Sequence, residues 1–304
     1  MLHVVTADQA GKRTDVIVAA LAGASRSRAA RSAKKGEVLR NGTPAKPSTV
    51  LEEGDVLDFD VPSPRPLVAR AEAIELAVLY EDEDLLVIDK PAGMVTHPAV
   101  GAPRGTLVNA LLAHVEGPLP GDSLRAGLVH RLDRDTSGLL VVAKRHESLR
   151  ELAAAMKSRH IEREYLGLVC GVPPHRQGTI EGAIGRDPRH RTKFAIVTAG
   201  RPAITHYAVR ERFAKHAELV FRLETGRTHQ IRVHCAGAGY PILNDPLYGK
   251  KEANFDFDLP GQALHAWRLA FRHPRTGAAM EFEADPPPAY REARAIVSSS
   301  DEIV

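Results

Sequence analysis

Three prolines in five residues, Pro62, Pro64 and Pro66, constrain this chain more than any other feature. Each fixes φ and removes a backbone donor, so neither a helix nor a central strand can run through the stretch. The chain must divide there, into a small amino-terminal unit and a larger remainder joined by a stiff, extended connector. The reading is residues 1–61 as one domain, 62–73 as linker, 74–292 as the main domain, and 293–304 as a polar tail expected to fray.

Composition narrows the class. Apolar residues make up 43% and charged residues 26%, which fits a folded globular protein and not a disordered one. The longest apolar run, Val16 to Ala22, is far short of the roughly 18 residues a membrane span needs. No basic segment followed by an apolar core opens the chain, so a cytoplasmic protein without a membrane partner is expected. Cys170 and Cys235 are the two cysteines, too few for a disulfide framework or a cysteine-rich zinc site. The helical His-Glu-x-x-His zinc motif, the phosphate loop, the dinucleotide fingerprint and the Gly-x-Ser-x-Gly elbow are all missing. An enzyme on this chain is expected to work without a cofactor or metal.

The net charge of +3 hides two local excesses. Between Arg26 and Lys46 lie seven basic residues, among them Arg28, Arg31, Lys34 and Lys35, against Glu37 alone. A second cluster holds Arg186, Arg189, Arg191, Lys193 and Arg201 with Asp187 as its one acid. Solvated faces are often basic, but two such patches point to a polyphosphate ligand. In the small unit, Asp15–Leu21 reads as a short amphipathic helix. Ser25 or Ser27 caps a second helix carrying most of the arginines, and Gly36 ends it. Val38-Leu-Arg40 is a strand, Asn41-Gly42 a hairpin turn, and Val56, Leu57, Phe59 and Val61 alternate like another strand. The blocks Ser25-Arg-Ser-Arg-Ala29, Gly36 to Gly42, Lys46-Pro-Ser48 and Gly54-Asp-Val56 together resemble the S4 RNA-binding domain, although Thr14 stands where leucine is expected.

In the remainder, Leu85–Asp89, Leu139–Ala143, Tyr165–Val169 and Leu219–Leu223 read as buried strands, and Leu107–Val115 and Ser148–Arg159 as helices. Their order lacks βαβ regularity. An α+β domain with flanking helices on a mixed, largely antiparallel sheet is expected. Two strings concentrate reactive groups. Gly127-Leu-Val-His-Arg-Leu-Asp-Arg-Asp-Thr-Ser-Gly138 packs His130, Arg131, Asp133, Arg134 and Asp135 into one loop. Read blandly, it is a charged turn whose arginines and aspartates satisfy one another. Read functionally, it is a site loop held between strands. Glu224 to His234 carries Arg227, Thr228, His229, Ile231 and Arg232. A helix starting near Thr228 would put Thr228 and Arg232 on one face. An arginine brought from there to Asp133 would pair with that carboxylate and aim it.

Together with Asp89 to Pro98, Arg163-Glu-Tyr-Leu166, Pro241 to Gly249 and Ala263-Leu-His-Ala266, these strings resemble the pseudouridine synthases of the RluA/RluD type. The resemblance spans nearly the whole chain and implies an isomerase that turns uridine into pseudouridine in structured RNA, large-subunit ribosomal RNA above all. It implies that Asp133 attacks the nucleotide, that Tyr165 packs on the target base and that Arg232 is the aspartate's basic partner. Arg131 is implied to help displace the base, with His130, Arg227, His229 and Ile231 around the substrate. Arg26, Arg28, Arg31, Lys34 and Lys35 would hold RNA. Ile231 and Val233 compete as the apolar floor under the base. Arg163 stands where a lysine is commoner. A monomer is expected. Two other readings use the same residues: a non-catalytic RNA-binding factor for ribosome assembly, and a hydrolytic N-glycosidase, which would normally pair two carboxylates across the bond.

Overall fold

The computed structural model describes residues 1–61, 67–249 and 257–299. The Cα packing separates residues 1–66 from residues 67–304. The proline cluster at 62–66 lies outside the described residues, and 67–73 carry neither helix nor strand.

The first unit holds β1 (Leu2–Val4), helices α1 (Thr14–Leu21) and α2 (Arg26–Lys34), then β2 (Val38–Arg40), β3 (Thr43–Pro44) and β4 (Val56–Phe59). The strands form one antiparallel sheet in the order β1-β4-β2-β3. Asn41 and Gly42 both take positive φ, 51° and 79°, as a tight hairpin between β2 and β3 requires. Val18, Ala29, Val38, Leu51, Leu57 and Phe59 meet in a core of the unit's own. Thr14 is fully buried, and its hydroxyl donates to the Thr49 carbonyl at 3.1 Å, so the departure from leucine is absorbed by a hydrogen bond.

The second unit is built on β5 (Ala77–Glu81), β6 (Leu85–Lys90), β7 (Ser137–Ala143), β8 (Glu162–Cys170), β9 (Gln177–Glu181), β10 (Ile184–Arg186), β11 (Phe194–Ile196), β12 (Ile204–Arg212), β13 (His216–Leu223), β14 (Leu264–Arg272) and β15 (Ala279–Glu283). Nine of these make one sheet in the order β5-β6-β7-β14-β8-β13-β12-β9, with β15 pairing the far half of β14. Every pairing is antiparallel except β7 with β14, where Ser137 and Gly138 face His265 and Ala266. β10 and β11 pair separately.

Both faces of the central strands are covered, which explains their unbroken apolar runs. Leu86, Ile88, Leu140 and Val142 pack on one face with α3 (Leu107–His114) and α5 (Gln230–Gly237). Leu85, Val87, Leu139 and Val141 turn to the opposite face, where Leu152 of α4 (His146–Lys157) covers them. Each such side chain, once fully buried, contributes roughly 1.5–3 kcal/mol. Thr106 begins α3 with a reciprocal cap: its side chain accepts from the Asn109 amide while the Asn109 side chain accepts from Thr106.

The carboxyl-terminal tail departs from expectation. Residues 293–299 belong to α6 (Pro288–Ser299), not to a frayed segment. Tyr290, Ala293 and Val297 recur at helical spacing, are buried, and pack against Leu166, Leu168 and Leu243. Polar clasps add to this. Glu218 accepts from the Tyr290 hydroxyl at 3.1 Å and from Arg294 at 3.2 Å. Ser298 and Ser299, which suggest a loose tail, occupy the last turn of the helix. Residues 300–304 lie outside the described residues.

Candidate active site

The loop from Gly127 to Gly138 is pinned at both ends by glycines that cannot be replaced cheaply. At Gly127, with φ of 69°, a Cβ would lie 2.3 Å from the Ala143 carbonyl oxygen. At Gly138, with φ of 112°, it would lie 2.2 Å from that of Ala266. Between them the backbone is held from below. The Thr96 hydroxyl donates to the Leu132 carbonyl at 2.6 Å. Lys90, fully buried, donates through Nζ to the carbonyls of Pro91, Met94 and Arg134 at 2.7, 2.9 and 3.0 Å. Gln262 donates to the Thr136 hydroxyl at 2.9 Å. Side chains positioned by such a frame keep one geometry.

The loop's charges do not simply cancel among themselves. Arg134 and Asp135 pair at 2.8 and 3.0 Å. Asp133 instead takes its partner from 99 residues away: Arg232 Nη1 donates to its Oδ2 at 2.9 Å. Arg232 is 4% exposed, and a second carboxylate holds the rest of its guanidinium. Nε and Nη2 donate to Oδ2 and Oδ1 of Asp245 at 2.7 and 2.9 Å. Burial by itself would favour the neutral form of Arg232. The hydrogen bonds and charge of Asp245, with those of Asp133, outweigh it and hold the arginine protonated. Asp245 Oδ1 also accepts from the amides of Leu247 and Tyr248. Asp245 has no role in the sequence reading; its one signal is its place in the Pro241–Gly249 block.

The helix bearing Arg232 starts at Gln230, two residues later than expected. His229 takes a left-handed φ of 56° and forms its N-cap, so Thr228 is not on the helix and shares no helical face with Arg232. The turn brings His229 to the site: its Nε2 stands 3.9 Å from Asp133 Oδ1, and its Nδ1 shares a 2.9 Å hydrogen bond with the Tyr248 hydroxyl. Burial lowers the pKa of His229, and the charge of Asp133 works against that. The centre of the Tyr248 ring lies 5.2 Å from the Arg232 guanidinium.

Asp133 opens on a cavity of about 570 Å³, within the range of small-molecule and nucleotide sites. Asp133, Tyr165, Arg131, His130, Arg227, His229, Ile231 and Arg232 all line it. Tyr165 is 5% exposed and belongs at once to the core and to the cavity wall, and burial raises its pKa. Ile231, Leu132 and Leu264 give the cavity its apolar floor. Val233 faces elsewhere, in a cluster with Ile184 and Ala203, which decides between the two floor candidates. Arg131 is exposed at the rim. His130 accepts from the Val141 amide through Nε2 at 3.4 Å, and burial lowers its pKa to about 3, so the ring is neutral. Arg227 lines the cavity with Nε donating to the Pro202 carbonyl. Seven of the lining residues are lysine or arginine, against Asp133 and Glu224. The field favours an anionic ligand.

In the first unit, Arg28, Arg31 and Lys35 share a surface concavity with Ser25, Ser27 and Ser32. Arg26 is drawn instead to Asp15 at 3.2 Å, and Lys34 stands outside the concavity.

A basic cavity holding Asp133, on a chain that also carries a basic helix–sheet module, fits an enzyme directed at nucleic acid. Residues 84–237 match the family model described as RNA pseudouridylate synthase, and residues 12–57 match the S4 domain. The chain is 44% identical to Ribosomal large subunit pseudouridine synthase D of Pseudomonas aeruginosa, over 91% of this chain and 89% of that one. It is 47% identical to an uncharacterized RNA pseudouridine synthase of Chloroflexus aurantiacus, over 93% and 89% of the two chains. Among solved structures, Human RNA Pseudouridylate Synthase Domain Containing 1 aligns with a TM-score of 0.57 at 25% identity, covering 74% of this chain and 86% of that one. The chain belongs to the RNA pseudouridylate synthase family, isomerases that act on RNA. Neither a non-catalytic assembly factor nor an N-glycosidase is favoured by this kinship. Among the described residues no helix is long and apolar enough to cross a membrane.

Proposed function

We propose that the chain converts particular uridines of large-subunit ribosomal RNA to pseudouridine, with Asp133 as the group that acts on the nucleotide. The single observation that carries this is the asymmetry of the Asp133 carboxylate. Oδ2 is taken by Arg232, itself clamped by Asp245, while Oδ1 accepts no hydrogen bond from the described residues, and Asp133 lines the cavity. One oxygen is thus aimed and the other left for chemistry.

In the reaction the N1–C1′ bond of the uridine breaks, the uracil turns, and C5 bonds to C1′; the proton on C5 is lost and N1 gains one. Atoms balance without a co-reactant. The uridine must first leave its stack, at a cost on the order of a few kcal/mol. Stacking on Tyr165, worth roughly 1–3 kcal/mol, offsets part of this, and Arg131 at the rim is placed to fill the gap left behind. Ile231, Leu132 and Leu264 keep water from the freed base, since water there would give hydrolysis. Residues 1–61, through Arg28, Arg31 and Lys35, hold the backbone of the RNA.

The test is tritium release from RNA labelled at uracil C5. Asp133→Asn is expected to bind RNA like the parent and to lose on the order of 10⁴-fold or more in turnover. Pseudouridine formed by that variant at the parental rate would refute the assignment.

A further inference from the structure

Arg163 is a charge in the cavity wall to which the reaction gives no task. It is the second residue of β8, and Tyr165, two residues on, shares its side of the strand. Arg163 is 8% exposed, and its Nε is buried without a hydrogen-bond partner. No ion pair among the described residues includes it. The nearby carboxylates are engaged elsewhere: Glu162 and Glu164 with Arg268, and Glu224 with Arg159 and His206. A guanidinium cannot give up its proton, so burial leaves a full charge whose desolvation is uncompensated.

Two neighbours show where a ligand would complete the site. At Gly226 a Cβ would come within 3.3 Å of Arg163 Nη1, so the absence of a side chain there keeps the end of the guanidinium open to the cavity. His130 lines the same cavity. Because its Nε2 accepts from Val141, its proton sits on Nδ1, and Nδ1 is buried with no acceptor.

We propose that Arg163, supported by His130, is an anion subsite that holds a phosphodiester of the RNA adjacent to the target uridine. The identity of the anion rests on the RNA-modifying reading above; the subsite itself does not. A uracil carbonyl would satisfy a donor but could not neutralise the charge, whereas a phosphate does both and matches the fork of the guanidinium. Arg163 lies roughly 7 Å along the strand from Tyr165, so a base packed on Tyr165 brings its own sugar–phosphate within reach.

Inorganic phosphate is the first probe, exchanged for chloride at constant ionic strength while the full chain is thermally unfolded. Phosphate is expected to raise the Tm of the parent, Arg163→Gln to remove most of that rise, and Arg163→Lys to keep most of it. Gly226→Leu, which fills the opening with Arg163 in place, should also remove it, and serves if Arg163→Gln does not fold. With a large-subunit ribosomal RNA transcript as substrate, Arg163→Gln should raise KM about tenfold or more with kcat within about twofold of the parent. A full phosphate response in both Arg163→Gln and Gly226→Leu, or an unchanged KM in Arg163→Gln, would overturn the subsite. Asp133→Asn separates the two readings. It should keep the phosphate response while losing turnover. A parent that forms no pseudouridine yet shows the Arg163-dependent response would remove the proposed reaction and leave the subsite standing.

Discussion

Arg232 divides its donors between two carboxylates, and the division sets what each substitution does. Asp245 takes two of the nitrogens and Asp133 the third. Asp245→Asn breaks a buried pair and leaves the arginine's charge poorly matched. The expected cost is about 3–5 kcal/mol in urea unfolding, together with loss of turnover, because Asp133 then has an unanchored partner. A variant as stable and active as the parent would show that Asp133 alone positions the arginine. Lys90 gives a pH test. Burial pulls its pKa from 10.5 to about 8, against the charges of Asp135, Asp133 and Asp89. Between those two values the unfolded chain holds a proton that the folded chain has released, so this group makes stability rise with pH across that window. Unfolding of Lys90→Met in urea at about pH 8 and about pH 10 should lack that rise, and an unchanged pH dependence would exclude Lys90 as its source. Asp133 and Arg232 could be singled out in the sequence because they sit in dense, unusual strings. Asp245 and Lys90 could not be given roles: Asp245 acts on an arginine 13 residues away, and Lys90 ties the local Pro91 and Met94 carbonyls to that of Arg134, 44 residues on.

At the scale of elements, the site loop depends on how closely β7 approaches β14. Gly138→Ala must adopt a φ of 112° and push a methyl group into the Ala266 carbonyl. A loss of more than about 3 kcal/mol is expected in denaturant unfolding, with both the strand pairing and Asp133 disturbed. A loss under about 1 kcal/mol would mean the two strands can part without penalty. The central strands were readable because both of their faces are covered, which leaves continuous apolar runs such as Leu85–Ile88. The start of α5 was not. Propensity gives no warning that His229 will take a left-handed turn, a conformation set by its interactions with Tyr248 and Asp133. α6 was obscured for a similar reason, its apolar positions being three and four apart and leading into a run of serines that reads as a polar tail.

For the molecule as a whole, the proposed recognition of RNA divides between a basic cavity and a basic module in the other unit. Replacing Arg28, Arg31 and Lys35 with glutamine should weaken RNA binding and flatten the dependence of log K on log salt, by roughly 0.7–0.9 for each phosphate no longer neutralised. Turnover at saturating RNA should be untouched. Identical slopes for variant and parent would place the S4 unit outside the interface. The class of fold could be inferred from the order of elements, but the strand order could not. β14, far along the chain from β8, inserts between β7 and β8, and no local pattern announces such an insertion. That late insertion governs when the enzyme comes alive. During synthesis Asp133 precedes its arginine by 99 residues, and Asp245 and β14 follow later still. Chains terminated before β14 are therefore expected to lack turnover, and pseudouridine formed by a chain ending at residue 263 would contradict this.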